Sequence, residues 1–364
     1  MNKIKIIFGI FFLICSIVFV GCSKKDGATD SEKIVIGALI RNLNETFVRD
    51  YADNLQKLAS TSNVDLKVLD GNSDVATQLD QLNTLLTQGV KYFIIIPQDT
   101  AVTEQMCQFI DAQGGAAAFS NIQPSIEALK ISKNFFLASS PESVAGDIQA
   151  EIADEYFTKY PEKAPEKVIN ALVLHGQLGH PAQINRAKGV MEGLKTRGYT
   201  VNIVAEDTAN WGASEAQSKM DAWIAAYGGK FNLVIAQNDD MGLGAIESML
   251  TNKYVDDPND ISKDVDGDGT VLKVPVIGID ATETGKRSMA ENKMYATVLQ
   301  DSIGQSTTAF ELILTVAKTG TAIGAVANGL TAATSVISED PVTDPAILDQ
   351  CYLVPFKKIT KADL

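Results

Sequence analysis

VINALVLHGQLGHPAQINRAKGVMEGL (Val168–Leu194) is the stretch on which the reading of the fold turns. Its first seven residues form an apolar run with a β-branched bias, the composition of a strand buried on both faces. After the turn residues GQLGHP, apolar side chains recur at Ala187, Met191 and Leu194, a helical spacing. A strand therefore feeds a helix, and His180 and Arg186 fall at the junction. The same stretch holds both histidines of the 364-residue chain, His175 and His180.

The alternation continues in both directions. Upstream, KIVIGALI (Lys33–Ile40) precedes the helical NETFVRDYADNLQKLAS (Asn44–Ser60), with Phe47, Tyr51, Leu55 and Leu58 on one side. DLKVLD, the helical VATQLDQLNTLLTQG and the strand-like YFIIIPQD (Tyr92–Asp99) follow. Downstream come YTVNIVAED, GASEAQSKMDAWIAAYGG, NLVIAQNDD, MGLGAIESMLTNK and VPVIGIDAT, again strand and helix in turn. Near-continuous apolar strands separated by helices specify parallel sheets covered on both faces. The length suffices for two such units. The predicted class is α/β, with two doubly wound parallel-sheet lobes joined by a three-strand hinge. Residues 33–119 with 301–352 are expected to form one lobe, and residues 120–300 with 353–364 the other. The crossings are expected near Phe119–Asn121, Gln300–Asp301 and Cys351–Leu353.

In open α/β sheets a ligand lies beyond the carboxyl ends of the strands. The residues just after each apolar run are then the candidate site: Glu45, Thr46 and Phe47; Gln98 and Asp99; His180 and Arg186; Asn210 and Trp211; Gln237 to Asp240; Asp280; Gln300. Carboxylates and amides exchange hydrogen bonds with hydroxyls, and an arginine donates in a fixed fork. Aromatic faces cover the apolar C–H face of a ring. This mixture suits a neutral polyhydroxylated ligand. It does not suit phosphate, because no Gly-rich phosphate loop opens a helix.

GHPAQINR (Gly179–Arg186), DTANWGASEAQSKMDAW (Asp207–Trp223), AQNDDMGLGAIE, VIGIDAT, ATVLQD and YLVPF together resemble the periplasmic galactose/glucose-binding proteins of bacterial ABC importers, relatives of the ribose-binding proteins. The likeness spans nearly all of the chain after its N-terminal segment. It implies that Phe47 and Trp211 sandwich a pyranose ring. It further implies that His180 and Arg186 donate to ring and hydroxyl oxygens, and that Asn238 and Asp280 take hydroxyls on the far edge. Four positions depart from the family pattern. Glu45 stands for an Asp, Ile96 for an Asn, Ala182 for an Asp, and Gln300 for an Asn that ribose-type relatives replace by Gln. Asp99 or Gln98 is expected to take over the contact missing at Ile96. The departures make a sugar or sugar-like ligand a firmer expectation than galactose or glucose.

At the N-terminus, Lys3 and Lys5 precede the apolar Ile6–Val20, and Gly21-Cys22 follows. This resembles the lipobox of bacterial lipoproteins, with Phe19 in place of the usual Leu. A signal peptide over residues 1–21, a lipid on Cys22 and a polar tether to residue 32 are expected. Cleavage there leaves 29 basic and 45 acidic residues, a net charge of −16, which argues against a nucleic-acid partner. Two further cysteines, Cys107 and Cys351, make no disulfide framework, and Cys107 reads as a buried thiol.

DVDGDGT (Asp264–Thr270) matches the first half of an EF-hand loop. Asp264, Asp266, Asp268 and the Thr270 carbonyl are the expected calcium ligands. Asp257 or Asp260 is expected to complete the set, since Pro275 stands where the bidentate Glu would be. Any such ion is structural, remote from the cleft. His175 reads as structural, Trp223 as core, and Asp240 as the cap of the helix that follows. No G-x-S-x-G element or nucleophile–base pair occurs, so no enzyme is expected. The reading is a monomeric, lipid-anchored, extracytoplasmic protein that captures a monosaccharide for an ABC permease. The alternative is a sensory receptor for a sugar, nucleoside or autoinducer, reporting to a chemoreceptor or sensor kinase.

Overall fold

The computed structural model describes residues 33–337 and 342–364; the expected signal segment, tether and Cys22 lipidation site lie outside the described residues. In chain order, the first sheet is built from β1 (Ile34–Ile40), α1 (Thr46–Ser60), β2 (Val64–Asp70), α2 (Val75–Thr87), β3 (Tyr92–Ile96), α3 (Thr103–Asp111), β4 (Ala116–Phe119), α4 (Ile126–Lys130) and β5 (Phe135–Ser139). The second takes α5 (Glu142–Lys159), β6 (Val168–His175), α6 (Pro181–Thr196), β7 (Thr200–Thr208), α7 (Ala213–Tyr227), β8 (Leu233–Ala236), α8 (Asp239–Thr251), β9 (Val276–Ile277) and α9 (Glu283–Ala290). Then β10 (Thr297–Leu299) leads into α10 (Ser302–Thr319), and β11 (Cys351–Leu353) and β12 (Lys357–Ile359) close the chain.

The strand order is β11-β5-β4-β3-β1-β2 in one sheet and β7-β6-β8-β9 in the other, all parallel; β10 and β12 form an antiparallel pair. Both sheets are buried on both faces, and the two-residue side-chain period shows it. Ile94 and Ile96 join α1 and α10 through Tyr51 and Phe310, while Phe93 and Ile95 join α2 and α3 through Leu82 and Met106. In the second sheet Leu172 and Leu174 pack with Met220 and Trp223, and Ala171 and Val173 with Tyr156 and Val190. Cys107 and Cys351 are buried free thiols in one apolar cluster. Among the described residues no helix is long and apolar enough to cross a membrane.

One boundary differs from the sequence reading. The chain does not leave the first lobe near Phe119–Asn121. KNFFLAS supplies a further buried strand, β5, which pairs with β4 and receives β11 on its other edge. The first crossing is therefore at Ser140–Pro141, and residues 120–139 belong to the first lobe. The missed signal was a short apolar run, FFLAS, standing directly after a turn and before a long helix.

The helices α5 and α6 approach backbone to backbone, and this sets the site. A Cβ on Gly146 would lie 2.2 Å from the Arg186 carbonyl oxygen, and one on Gly189 would lie 2.1 Å from the Ser143 carbonyl oxygen. No side chain can fit at that crossing, and the approach brings Arg186 of α6 beside Glu142 of α5. Gly146→Ala is expected to destabilise the protein by about 1–3 kcal/mol or more through overpacking, read as a lowered urea midpoint at unchanged m-value.

Candidate ligand-binding cleft

The carboxyl ends of both sheets face one narrow cavity. The first lobe contributes Arg41 directly after β1, Glu45 at the cap of α1, Thr46 and Phe47 in its first turn, and Asn121 after β4. The second contributes His180 at the cap of α6, Ala182, Arg186, Trp211 after β7, Asn238 at the cap of α8, and Asp280 after β9. Gln300 enters from the strand that crosses back. Thr46 Oγ1 donates to Asp240 Oδ2 at 2.8 Å, from the first lobe to the second.

Arg186 is 2% exposed, and each of its three nitrogens donates to a partner. Its Nε donates to Glu142 Oε2 at 2.7 Å, one terminal nitrogen donates to the Gln237 carbonyl, and the other donates to Gln300 Oε1 at 2.9 Å. Gln300 in turn donates to Glu142 Oε1 at 3.2 Å. The guanidinium plane lies over the Trp211 ring at 5.7 Å. His180 meets the same ring edge-on at 5.1 Å. Its Nδ1 accepts the Ala182 N–H at 3.0 Å, so the neutral ring carries its proton on Nε2. Burial, then the positive charges of Arg41 and Arg186, hold the imidazole well below its ordinary pKa. At neutral pH His180 thus presents a donor, Nε2–H, to the cavity.

Asn238 accepts the Met241 N–H at 2.9 Å and donates to the Trp211 carbonyl at 3.1 Å. It is Asn238, then, that caps α8. Asp240, expected in that role, instead accepts from Thr46. Asp239 is fully buried and accepts from Thr297 Oγ1, the Thr282 N–H and Thr282 Oγ1; burial pushes its pKa up to about 7. Asp280 is 8% exposed, and its carboxylate makes no hydrogen bond among the described residues. Burial, opposed by Arg186, raises its pKa well above the ordinary value.

Eight of the nine residues expected at the ligand come together here: Glu45, Phe47, His180, Arg186, Trp211, Asn238, Asp280 and Gln300. Asp99 does not. Its carboxylate accepts the Ala101 N–H at 2.8 Å and caps a short turn, on a neighbouring recess with Gln98, Gln123 and Gln177. Gln98 lines that recess too, so neither residue fills the place left by Ile96, which is itself core. The sequence reading passed over Arg41, Asn121 and Glu142. Arg41 is the first residue after an apolar run, so the strand-end rule applied one position earlier finds it. Asn121 and Glu142 follow β4 and β5, the two strands not recognised. His175, expected to be structural, bonds Glu206 Oε2 at 2.9 Å, and Trp223 is core.

The pattern of the periplasmic binding protein domain matches residues 36–322. The chain belongs to this family. It is 29% identical to the xylitol-binding protein of Mycolicibacterium smegmatis, over 77% of this chain and 71% of the relative. It is 25% identical to the D-galactose/methyl-galactoside binding periplasmic protein of Haemophilus influenzae, over 76% and 80%. The fold superposes on an ABC transporter solute binding protein of Bacillus halodurans C-125 solved with myo-inositol, with a TM-score of 0.69, 23% identity, and coverage of 92% and 97%. The family is one of periplasmic binding proteins, and these relatives are binding proteins, in line with the expectation from the sequence.

The acidic loop is a second cluster. Carboxylate oxygens of Asp256, Asp264, Asp266 and Asp268 lie within 4.8 Å of one another. That is the span across an ion with oxygen ligands at about 2.4 Å, the bond length of calcium. The carboxylate that joins the cluster from outside the loop is Asp256. Asp257 and Asp260, the expected candidates, accept from Asn259 and Ser262 of their own turns. Lys163 Nζ donates to Asp266 and Asp268 at 2.6 Å each, and the Tyr156 hydroxyl donates to Asp268 at 2.6 Å. One ammonium against four carboxylates leaves the cluster strongly negative, so donor type, spacing and charge all fit a hard cation.

The Trp211 ring lies directly on Gly176, where a Cβ would fall 2.0 Å from the ring. Gly176→Ala should therefore displace the indole into the cleft. In a Trp223→Phe background, the expected result is a red-shifted Trp211 emission. An unshifted spectrum would mean that the loop carrying Trp211 yields instead.

Proposed function

We propose that this chain is an extracytoplasmic solute-binding lipoprotein that closes on one monosaccharide or closely related polyol and delivers it to the permease of an ABC importer. One observation carries the reading. Arg41 Nε, Asn121 Oδ1, His180 Nε2 and Trp211 Nε1 are buried at the cavity and find no hydrogen-bond partner among the described residues. A buried polar group left unpaired costs about 1–3 kcal/mol. Several converging on one cavity are the complement of a ligand dense in hydroxyls. Phe47 and Trp211 supply the flat apolar surface that the C–H face of such a ligand needs. The names of the relatives point the same way, toward xylitol, galactose and myo-inositol. Ile96 and Ala182 remove two acceptors that a galactose-type pocket uses, so the skeleton of the ligand is left to experiment.

Closure follows from the geometry. Residues of both lobes line the cavity, so a ligand bridging them favours the closed state by the strength of those contacts. Calorimetric titration of the mature domain with galactose, glucose, xylose, ribose, xylitol and myo-inositol tests the reading. At least one should bind at micromolar or tighter concentration. Trp211→Ala and Arg186→Ala should each weaken it by roughly 100-fold or more, the loss typical of a central aromatic or arginine anchor. Binding by none of the six would overturn it.

We further propose that Asp256, Asp264, Asp266, Asp268 and the Thr270 carbonyl hold a calcium ion in a purely structural role. Calcium should raise the thermal midpoint by a few degrees over the chelator-treated protein, and Asp266→Asn should abolish that difference. Equal midpoints for the wild type in both conditions would show that Lys163 alone closes the loop.

A further inference from the structure

We propose that Arg41 is a ligand-reading residue, held in place by Glu45, and that its Nε–H makes the contact for which the Ile96 and Ala182 positions offer no polar group. The inference rests on the polyol reading above and adds to it a residue and a polarity.

Arg41 is 3% exposed at the carboxyl end of β1 and lines the ligand cavity. A buried arginine so placed needs a reason. Its backbone is fixed, because its carbonyl accepts the Ser73 N–H at 2.8 Å. Its head is fixed too, because one terminal nitrogen pairs with Glu45, four residues along the turn that leads into α1. The ion pair satisfies the charge. It does not satisfy Nε, which is buried without a partner. A planar guanidinium clamped at one edge presents its remaining N–H groups in a set direction, and the free Nε belongs to a side chain lining the cavity. Glu45 is then a positioning residue. Being one methylene longer than Asp, it can reach back to Arg41.

The exchange has a chemical consequence. Ile96 and Ala182 stand where the galactose pattern has an amide and a carboxylate, groups that accept from hydroxyls. Arg41 can only donate. The ligand oxygen facing it must therefore act as an acceptor, and Trp211 Nε1 and His180 Nε2 are donors as well. A ligand carrying an ammonium at that position would set a cation against the guanidinium.

Arg41→Lys separates reading from folding. Lysine keeps the charge and can still pair with Glu45, but it has no Nε–H fork. The experiment takes the tightest binder among galactose, glucose, xylose, ribose, xylitol and myo-inositol, together with its mono-deoxy analogues, and titrates wild type and Arg41→Lys. The doubly neutral Arg41→Met/Glu45→Gln serves as a second variant that buries no lone charge. Both variants should keep a cooperative thermal transition. Each should lose roughly 10- to 100-fold in affinity for the parent ligand, the worth of one hydrogen bond to a charged group. For one deoxy analogue the loss should vanish, because variant and analogue remove the same contact. Equal losses across all analogues would make Arg41 merely structural, and no loss would make it irrelevant to the ligand; either result overturns the proposal. If the wild type binds none of the six, the polyol reading falls and this inference falls with it.

Discussion

The second lobe is organised around the buried guanidinium of Arg186. Four pieces of chain converge on it: α6, which carries it; the start of α5 through Glu142; the end of β8 through the Gln237 carbonyl; and the return crossing through Gln300. Such a network is weak evidence for net stability, because desolvating the charges costs about what their attraction returns. Its value is positional. Removing Glu142 would strand the buried guanidinium, so these four segments are held in a single arrangement. Trp211 lies over the same guanidinium, and Asn238 donates to the Trp211 carbonyl. The aromatic platform thus takes its place from the ion pair.

The cleft is polar in an ordered way. Both arginines that line it are already paired with carboxylates, Arg41 with Glu45 and Arg186 with Glu142. Neither is a free cation waiting for an anion. What remains unpaired among the described residues is a set of single N–H groups, the Asn121 amide oxygen and the Asp280 carboxylate. This is the complement of hydroxyl groups, each able to donate once and accept. It is a poor complement of phosphate or carboxylate ligands, which need free positive charge.

Much of this was legible in the chain. Near-continuous apolar runs separated by helices announced the parallel sheets, and the rule that ligands lie beyond strand ends found nine cavity residues. The failures share a cause. The strands AAAF and FFLAS are four and five residues long, built from small or aromatic side chains, and carry little signal outside the sheet that pairs them. With them went the first crossing, Asn121 and Glu142. Asp99 misled for a different reason: an aspartate after a strand is as well suited to cap the next turn as to meet a ligand, and periodicity cannot tell the two apart. The cluster of loop carboxylates was legible in its own residues, but the carboxylate that joins it from outside, Asp256, is set by how the loop folds back on the preceding turn.

The remaining constraint is written in the backbone rather than in the side chains. Asn121, Trp211 and Asp280 all have positive φ, at 60°, 65° and 118°, and all three line the cavity. Asn210 and Ala281, next to two of them, are left-handed as well. Non-glycine residues in such conformations cost about 1–3 kcal/mol each and persist only where the surroundings over-determine them. Glycine would relieve the strain, but it could not supply an amide, an indole or a carboxylate at the cleft. Three strained residues at three separate loop ends, meeting in one small volume, would be an odd outcome of selection for stability. They are what selection for a shaped, polar cavity leaves behind.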